Sequence, residues 1–195
     1  MAGGKAPGPD SMSPKFFQHY WDIMGEDLGQ MVLNFLNHGI FLRKFNFTLI
    51  ILIPKVEKPI NMTQFRPIAL CNSVAKVIAK MLATRLKRVL PNVISESQNA
   101  FVPNKLITGN VLLSYELHHV IKHKKSGPLG LMSIKLDMLK AYDKIEWSFL
   151  NEMMIQLNFS NKWINLVMTY VESISYSVLI NGEQTGYFKP RKGLS

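Results

Sequence analysis

The sequence predicts an α+β fold, helices packed on short antiparallel strands, and three observations carry that prediction. The first is a change of period. From Leu131 to Met138 the chain alternates, with Met132, Ile134, Leu136 and Met138 on one side and Ser133, Lys135 and Asp137 on the other. That is the pattern of a strand with one buried face. Tyr142, Asp143, Glu146, Trp147, Leu150, Met153, Met154 and Leu157 then follow at helical spacing, so strand gives way to helix just after Asp137. The second is an apolar, β-branched run, Phe47–Ile53, followed after turn-forming residues by a second short strand-like segment, Phe65–Asn72. The third is that longer amphipathic stretches precede and follow these runs, too long and too regular at a 3.6-residue repeat to be strands.

Composition narrows the classes. A 195-residue chain with 47% hydrophobic and 18% charged residues can build one good core or two small lobes. It carries 23 Lys+Arg against 13 Asp+Glu, a formal net charge of +10 and a pI near 9.7. Such a surplus favours a polyanionic partner, most commonly nucleic acid. The single cysteine, Cys71, excludes an internal disulfide framework and a multi-cysteine zinc site, and fits a reducing compartment. The longest dense apolar run, Phe47–Ile53, is too short to cross a bilayer. Met1 leads into A-G-G-K-A-P-G-P-D instead of an apolar core, so neither a signal peptide nor a membrane partner is expected.

Taken in order, Lys5-Ala-Pro-Gly-Pro-Asp10 is a turn-rich loop, because two prolines flank a glycine. Ser13-Pro14 then reads as an N-cap and first helical residue. The helix that follows carries Phe17, Trp21, Met24, Leu28, Met31, Val32, Phe35 and Leu36 on one face, with a break expected at Gly25 and a stop at Gly39. Phe47–Ile53, bounded by Pro54, reads as a buried strand, and Phe65–Asn72 as its hairpin partner. Lys55 and Lys58 in the intervening loop offer point charges, and Arg66 a planar fork that matches phosphate oxygens.

Ser73 is expected to cap a helix with Val74, Val77, Ile78, Met81, Leu82, Leu86, Val89 and Leu90 on its apolar face, stopping at Pro91. Lys76, Lys80 and Lys87 line another face, the candidate nucleic-acid contacts. Ser95–Lys105 is loop-like. The next helix, up to Lys125, is amphipathic through Val111, Leu112, Tyr115, Val120 and Ile121. Its His118, His119 and His123 lack the carboxylate or cysteine that would complete a metal site. Lys122–Gly130 reads as a basic linker. Trp163, Leu166, Val167, Tyr170 and Val171 mark a further amphipathic helix, and Ser175–Ile180, Asn181-Gly182 and Glu183–Phe188 a hairpin with a type I′ turn.

Several of these stretches share one resemblance. K-L-D-M-L-K-A-Y-D-K-I-E-W (residues 135–147) resembles the first catalytic motif of reverse transcriptases, in particular those of LINE-type (non-LTR) retrotransposons, most closely the plant forms. K-A-P-G-P-D resembles the family's N-terminal loop, although Ser11 stands where the next residue is usually Gly. I-P-K-(x)10-F-R-P-I-A-L-C-N resembles the fingers hairpin, and S-E-S-Q-N-A-F-V-P-N-K the segment S-E-x-Q-x-A-F-V-P-G-R, with Asn104 and Lys105 in place of Gly and Arg. Ala75, Gly109 and Leu139 stand where an aromatic, an Asp and a Ser are common. P-R-K-G-L resembles the opening of the next motif.

The resemblance implies the fingers and partial palm of a right-hand polymerase: 1–125 fingers-like, 126–195 partial palm with the first catalytic motif and the hairpin. It implies transfer of a nucleotide from a dNTP to a primer 3′-hydroxyl on an RNA template, with a two-metal Mg²⁺ site. Asp137 would be the metal-binding catalytic carboxylate, the Met138 carbonyl a further ligand, and Tyr142 the ring that crowds a ribose 2′-hydroxyl. Lys55 and Arg66 would meet the triphosphate. The aromatic-x-Asp-Asp motif that completes the site would lie beyond Ser195, with the thumb and any endonuclease, so the chain alone is expected to be inactive. The alternatives are a non-enzymatic basic nucleic-acid-binding module or an inert remnant of a decayed element. Retrotransposon proteins act in the nucleus or cytoplasm.

Overall fold

The computed structural model describes residues 4, 6–100, 102, 104–124, 130–138 and 140–194. The chain divides into two compact units, Met1–Leu82 with Ala141–Ser195, and Ala83–Lys140. The boundary expected between 125 and 126 lies outside the described residues.

In the first unit, helices α1 (Pro14–His19) and α2 (Trp21–His38) precede strand β1 (Phe47–Pro54), β2 (Phe65–Cys71) and the start of α3 (Ser73–Val93). After the second unit come α5 (Ala141–Lys144), α6 (Trp147–Gln156), α7 (Asn161–Glu172), β3 (Ser175–Ile180) and β4 (Glu183–Gln184). The sheet order is β2-β1-β3-β4. β1 and β2 pair antiparallel, Pro54 opposite Phe65, as the hairpin reading requires. β1 and β3 pair parallel, Phe47 opposite Ser175, so the sheet is mixed where only antiparallel pairing was expected. The α+β class stands.

The core is helical. Phe17, Leu28, Val32, Phe35, Leu36, Val74, Ile78, Leu82 and Leu166 form one buried cluster, drawn from α1, α2, α3 and α7, with Trp163 and Tyr170 packed against it. The helical break falls at Tyr20 (φ −102°, ψ 28°) and not at Gly25. Gly25 stays helical, and the Trp21 ring lies over it: a Cβ there would stand 2.9 Å from the ring. Its glycine serves close approach and not chain reversal. Gly39 ends α2 in the left-handed region, as expected. Pro91 lies inside α3 instead of stopping it; in the last turn a proline removes few helical bonds. Ala75 is fully buried, and the Tyr170 hydroxyl donates to its carbonyl at 3.1 Å.

Polar side chains fix the element ends. The Asn46 amide donates to the Tyr170 carbonyl and the Ser173 hydroxyl, both at 2.8 Å, satisfying acceptors at the end of α7. The start of α3 is held by the N-terminal loop. The Ser73 N–H donates to the Asp10 carboxylate at 2.8 Å, the Ser73 hydroxyl donates to the Met12 carbonyl at 2.7 Å, and the Asp10 N–H donates to the Asn72 side-chain oxygen at 3.0 Å. Ser73 is therefore the capped residue and Asp10, far away in sequence, supplies the acceptor. A Cβ on Gly8 would collide with the Cys71 carbonyl, so the loop packs backbone to backbone. Ser11 and Asn104, the two residues standing where the resemblance has glycine, have φ of 56° and 64°. Asparagine tolerates that region better than serine. Asp10→Ala is expected to destabilise the first unit by about 1–2 kcal/mol, from the lost cap and its charge at the helix N-terminus. Urea unfolding checks it, with Asp10→Asn falling between the two.

In the second unit the remainder of α3 is followed by an irregular stretch and α4 (Thr108–His123). The apolar residues Val111, Leu112, Tyr115 and Val120 are all more than half exposed. The strand expected over Leu131–Met138 is not formed: residues 130–138 have no regular structure, and Met132, Ile134, Leu136 and Met138 are 80%, 68%, 88% and 69% exposed. Alternation specifies which side chains could share a face, but a strand needs a ladder partner. No described strand pairs with this segment.

The helix expected from Tyr142 to Leu157 is interrupted. α5 is one turn long, Glu146 is extended (φ −75°, ψ 140°), and α6 starts afresh at Trp147. Asn181 and Gly182 have φ of 52° and 85°, as a type I′ turn requires. Beyond β4 the register slips. Leu179 faces Gln184, but Tyr176 faces Phe188, which places one extra residue, a bulge, on the returning strand.

Candidate nucleotide and nucleic-acid site

The cationic residues of the hairpin sit at its loop end. The Lys55 N–H donates to the Gln64 carbonyl at 2.8 Å and continues the pairing of Pro54 with Phe65. Its ammonium donates to the Thr63 carbonyl at 2.9 Å. Asn61 and Gln64 close the loop by a capping box. Lys55 and Lys58 are exposed, as is Arg66, opposite Ile53 on β2. Strand alternation puts Arg66 on the face opposite Pro67's neighbours in the cavity described next.

That cavity, about 270 Å³, lies on the sheet of the first unit and is lined by Ile50, Pro67, Ala69, Asp143, Tyr176, Phe188, Lys192 and Gly193. The Tyr176 phenol is pushed up to about 12, first by burial, then by the neighbouring Cys71 and Asp143 charges. Like an ordinary phenol it stays protonated near neutrality, and the shift extends that to higher pH. Tyr142, one residue before Asp143, is 54% exposed.

On α3, Lys76 is half-buried with its ammonium 3.5 Å from the Ala6 carbonyl, at the long limit of a hydrogen bond. Lys80 is exposed on the rim of a groove lined by Phe17, Trp21 and Met81, and Lys87 is exposed in the second unit.

Asp137 and Met138 also belong to the second unit, and both are exposed. Among the described residues no three His, Cys, Asp or Glu side chains come together as a metal-binding group. Asp137 has the chemistry of a single hard-oxygen ligand, and the described residues do not add the others. On α4 the His118 and His123 rings meet the carbonyls of Ser114 and His119 at 3.0 and 2.8 Å.

Sequence reasoning missed two features. Asp10 reads in the sequence as the end of a loop, whereas the structure makes it the acceptor at the start of α3. Trp147 reads as a helical aromatic and Gly193 as part of P-R-K-G-L, yet the indole N–H donates to the Gly193 carbonyl at 2.9 Å. No local pattern signals a contact between residues so far apart. The positive φ of Gly193, 93°, is the only trace, through its glycine.

Two comparisons with known proteins bear on this arrangement. The family described as "Reverse transcriptase (RNA-dependent DNA polymerase)" matches residues 53–195, more than half of the chain. A protein of Xenopus laevis, "Transposon TX1 uncharacterized 149 kDa protein", is 29% identical over 185 residues, which cover 95% of this chain and 14% of that protein. The chain thus spans about a seventh of the length of that relative. No helix of the described residues is long and apolar enough to cross a membrane.

Proposed function

The chain belongs to the reverse transcriptase (RNA-dependent DNA polymerase) family, and we propose on that premise that it forms the nucleotide- and template-handling part of an enzyme of a non-LTR retrotransposon. That enzyme would extend a DNA primer along an RNA template. The observation that carries the reading is the family match over residues 53–195, a span within which Lys55, Arg66, Asp137 and Tyr142 all lie.

In this reading Arg66 and Lys55 meet the triphosphate of an incoming deoxynucleotide with a fork and a point charge. The Tyr142 ring crowds the position of a ribose 2′-hydroxyl. Lys76, Lys80 and Lys87 contact the phosphates of template or primer. Asp137 is one carboxylate ligand, with the Met138 carbonyl beside it in sequence, for the divalent cation that the family uses. Magnesium, when bound, supplies charge neutralisation on the triphosphate and lowers the pKa of the primer hydroxyl. Residues 1–125 are assigned to the fingers and 126–195 to the palm.

The 195-residue chain is expected to bind an RNA–DNA primer–template with little sequence preference and with affinity that falls steeply with salt, because +10 of net charge displaces condensed counterions. Anisotropy titrations from low to physiological salt test this, and binding indifferent to salt refutes it. Catalysis is tested by joining the chain to the downstream palm and thumb of an active reverse transcriptase. Primer extension on RNA is expected, and none with a folded, template-binding protein would overturn the enzymatic reading.

A further inference from the structure

Lys192–Leu194 is fastened to the turn that carries Tyr142. The Gly193 N–H donates to the Ile145 carbonyl at 2.8 Å and the Leu194 N–H to the Tyr142 carbonyl at 3.0 Å. The Trp147 indole N–H donates to the Gly193 carbonyl at 2.9 Å, and Glu146 bridges Lys192 in an antiparallel pair. These bonds explain the interruption between α5 and α6. A one-turn helix leaves its carbonyls without intrahelical donors; here the Leu194 amide supplies one to Tyr142 of α5, and the Gly193 amide meets the Ile145 carbonyl just past its end. Gly193 adopts φ 93°, and a Cβ on it would lie 3.3 Å from the Asp143 carbonyl oxygen. The backbone conformation favours glycine at that position, and the space beside Asp143 is tight for any side chain.

The bonds grip the backbone at Tyr142 itself and three residues beyond it, and the indole closes the loop from Trp147. With Tyr142 54% exposed, a displacement of this backbone passes to its ring. We propose that Lys192–Leu194 acts as a clamp, with Trp147 and Gly193 as positioning residues that hold Tyr142 where it selects the nucleotide sugar. The proposal rests on the reading of Tyr142 as the sugar-crowding ring. Steric selection of that kind works over fractions of an ångström, because repulsion rises steeply inside van der Waals contact and vanishes just outside it. A ring whose backbone can retreat admits the larger sugar while the smaller one still binds.

The test uses the chain joined to the downstream palm and thumb of an active reverse transcriptase. It reads the ratio of kcat/KM for deoxyribonucleotides over ribonucleotides on an RNA template. Trp147→Phe removes the indole N–H and keeps an aromatic ring. It is expected to lower the ratio about fivefold, the worth of one hydrogen bond, through a lower KM for ribonucleotides. Gly193→Ala is expected to lower it further. Tyr142→Ala reports on the underlying reading and is expected to lower the ratio most. If Tyr142→Ala lowers the ratio and Trp147→Phe leaves it at the parental value, the clamp is overturned and the ring's role stands. If Tyr142→Ala leaves the ratio unchanged, sugar selection by Tyr142 fails, and the clamp's part in it fails too. Equal losses of kcat for both sugars in Trp147→Phe would mark a general structural role and also overturn the proposal. In the 195-residue chain itself, Trp147→Phe should speed amide exchange at Gly193 and Leu194, and unchanged exchange would contradict the clamp directly.

Discussion

Asp137→Asn is expected to abolish primer extension, by roughly a thousandfold or more, while leaving the fold untouched. The substitution keeps the shape of the side chain and removes its charge. On the reading of Asp137 as a metal ligand, loss of one anionic ligand from a site that holds a divalent cation against a triphosphate is worth several kcal/mol of transition-state stabilisation, and about 4 kcal/mol corresponds to three powers of ten in rate. Stability should stay within about 0.5 kcal/mol, the usual range for an exposed position, because Asp137 is exposed and lies in a segment with no strand pairing. The comparison variant is Asp143→Asn. Asp143 lines the sheet cavity and raises the Tyr176 phenol, so its neutralisation should relax that phenol and leave extension at a substantial level. Rates and urea midpoints of both variants, in the chain joined to an active palm and thumb, settle the choice of ligand. A dead Asp143→Asn beside an active Asp137→Asn would reverse it.

The elements that were legible in the sequence are those whose pattern reports burial inside one unit. Phe47–Ile53 and Phe65–Asn72 form their hairpin within a residue or two of the expected ends, because a β-branched apolar run, a proline boundary and a turn-rich loop act locally. The face of Phe17, Leu28, Val32, Phe35 and Leu36 is the core face of α1 and α2, because a 3.6-residue repeat states which side is covered. Leu131–Met138 misled for the complementary reason. Its alternation encodes a face that could be buried, whereas strand formation depends on a neighbour that local sequence does not encode. The break between α5 and α6 was illegible because its cause, the amides of Gly193 and Leu194, lies some fifty residues downstream. The parallel pairing of β1 with β3 was hidden in the same way. As for the site, the candidate residues came from motif wording, and the geometry of the described residues brings out a different set: Asp143, Tyr176 and Lys192 around one cavity, and Trp147 on Gly193.

Arg66→Ala is the second large effect expected, and it separates recognition of the triphosphate from the architecture of the hairpin. Arg66 is exposed on β2, at the edge of the sheet, one residue in from the Pro54–Phe65 pair that ends the ladder. Its side chain is not part of the buried core, so truncation should change stability little. What it would lose is a pair of parallel, charge-assisted bonds to phosphate oxygens, each worth about 1.5–3 kcal/mol. A combined loss of about 3 kcal/mol predicts a rise of roughly a hundredfold in KM for deoxynucleotides, with template affinity close to the parent's. Arg66→Lys restores the charge but not the fork, so it should recover only part of the loss. Lys55 cannot take over the role. Its ammonium already donates to the Thr63 carbonyl, which fixes it on the loop as a single point charge with two remaining donors. If Arg66→Ala and the parent show equal KM values, the hairpin does not close on triphosphate. The basic loop would then act on the nucleic-acid backbone, and the salt dependence of template binding should weaken in the same variant.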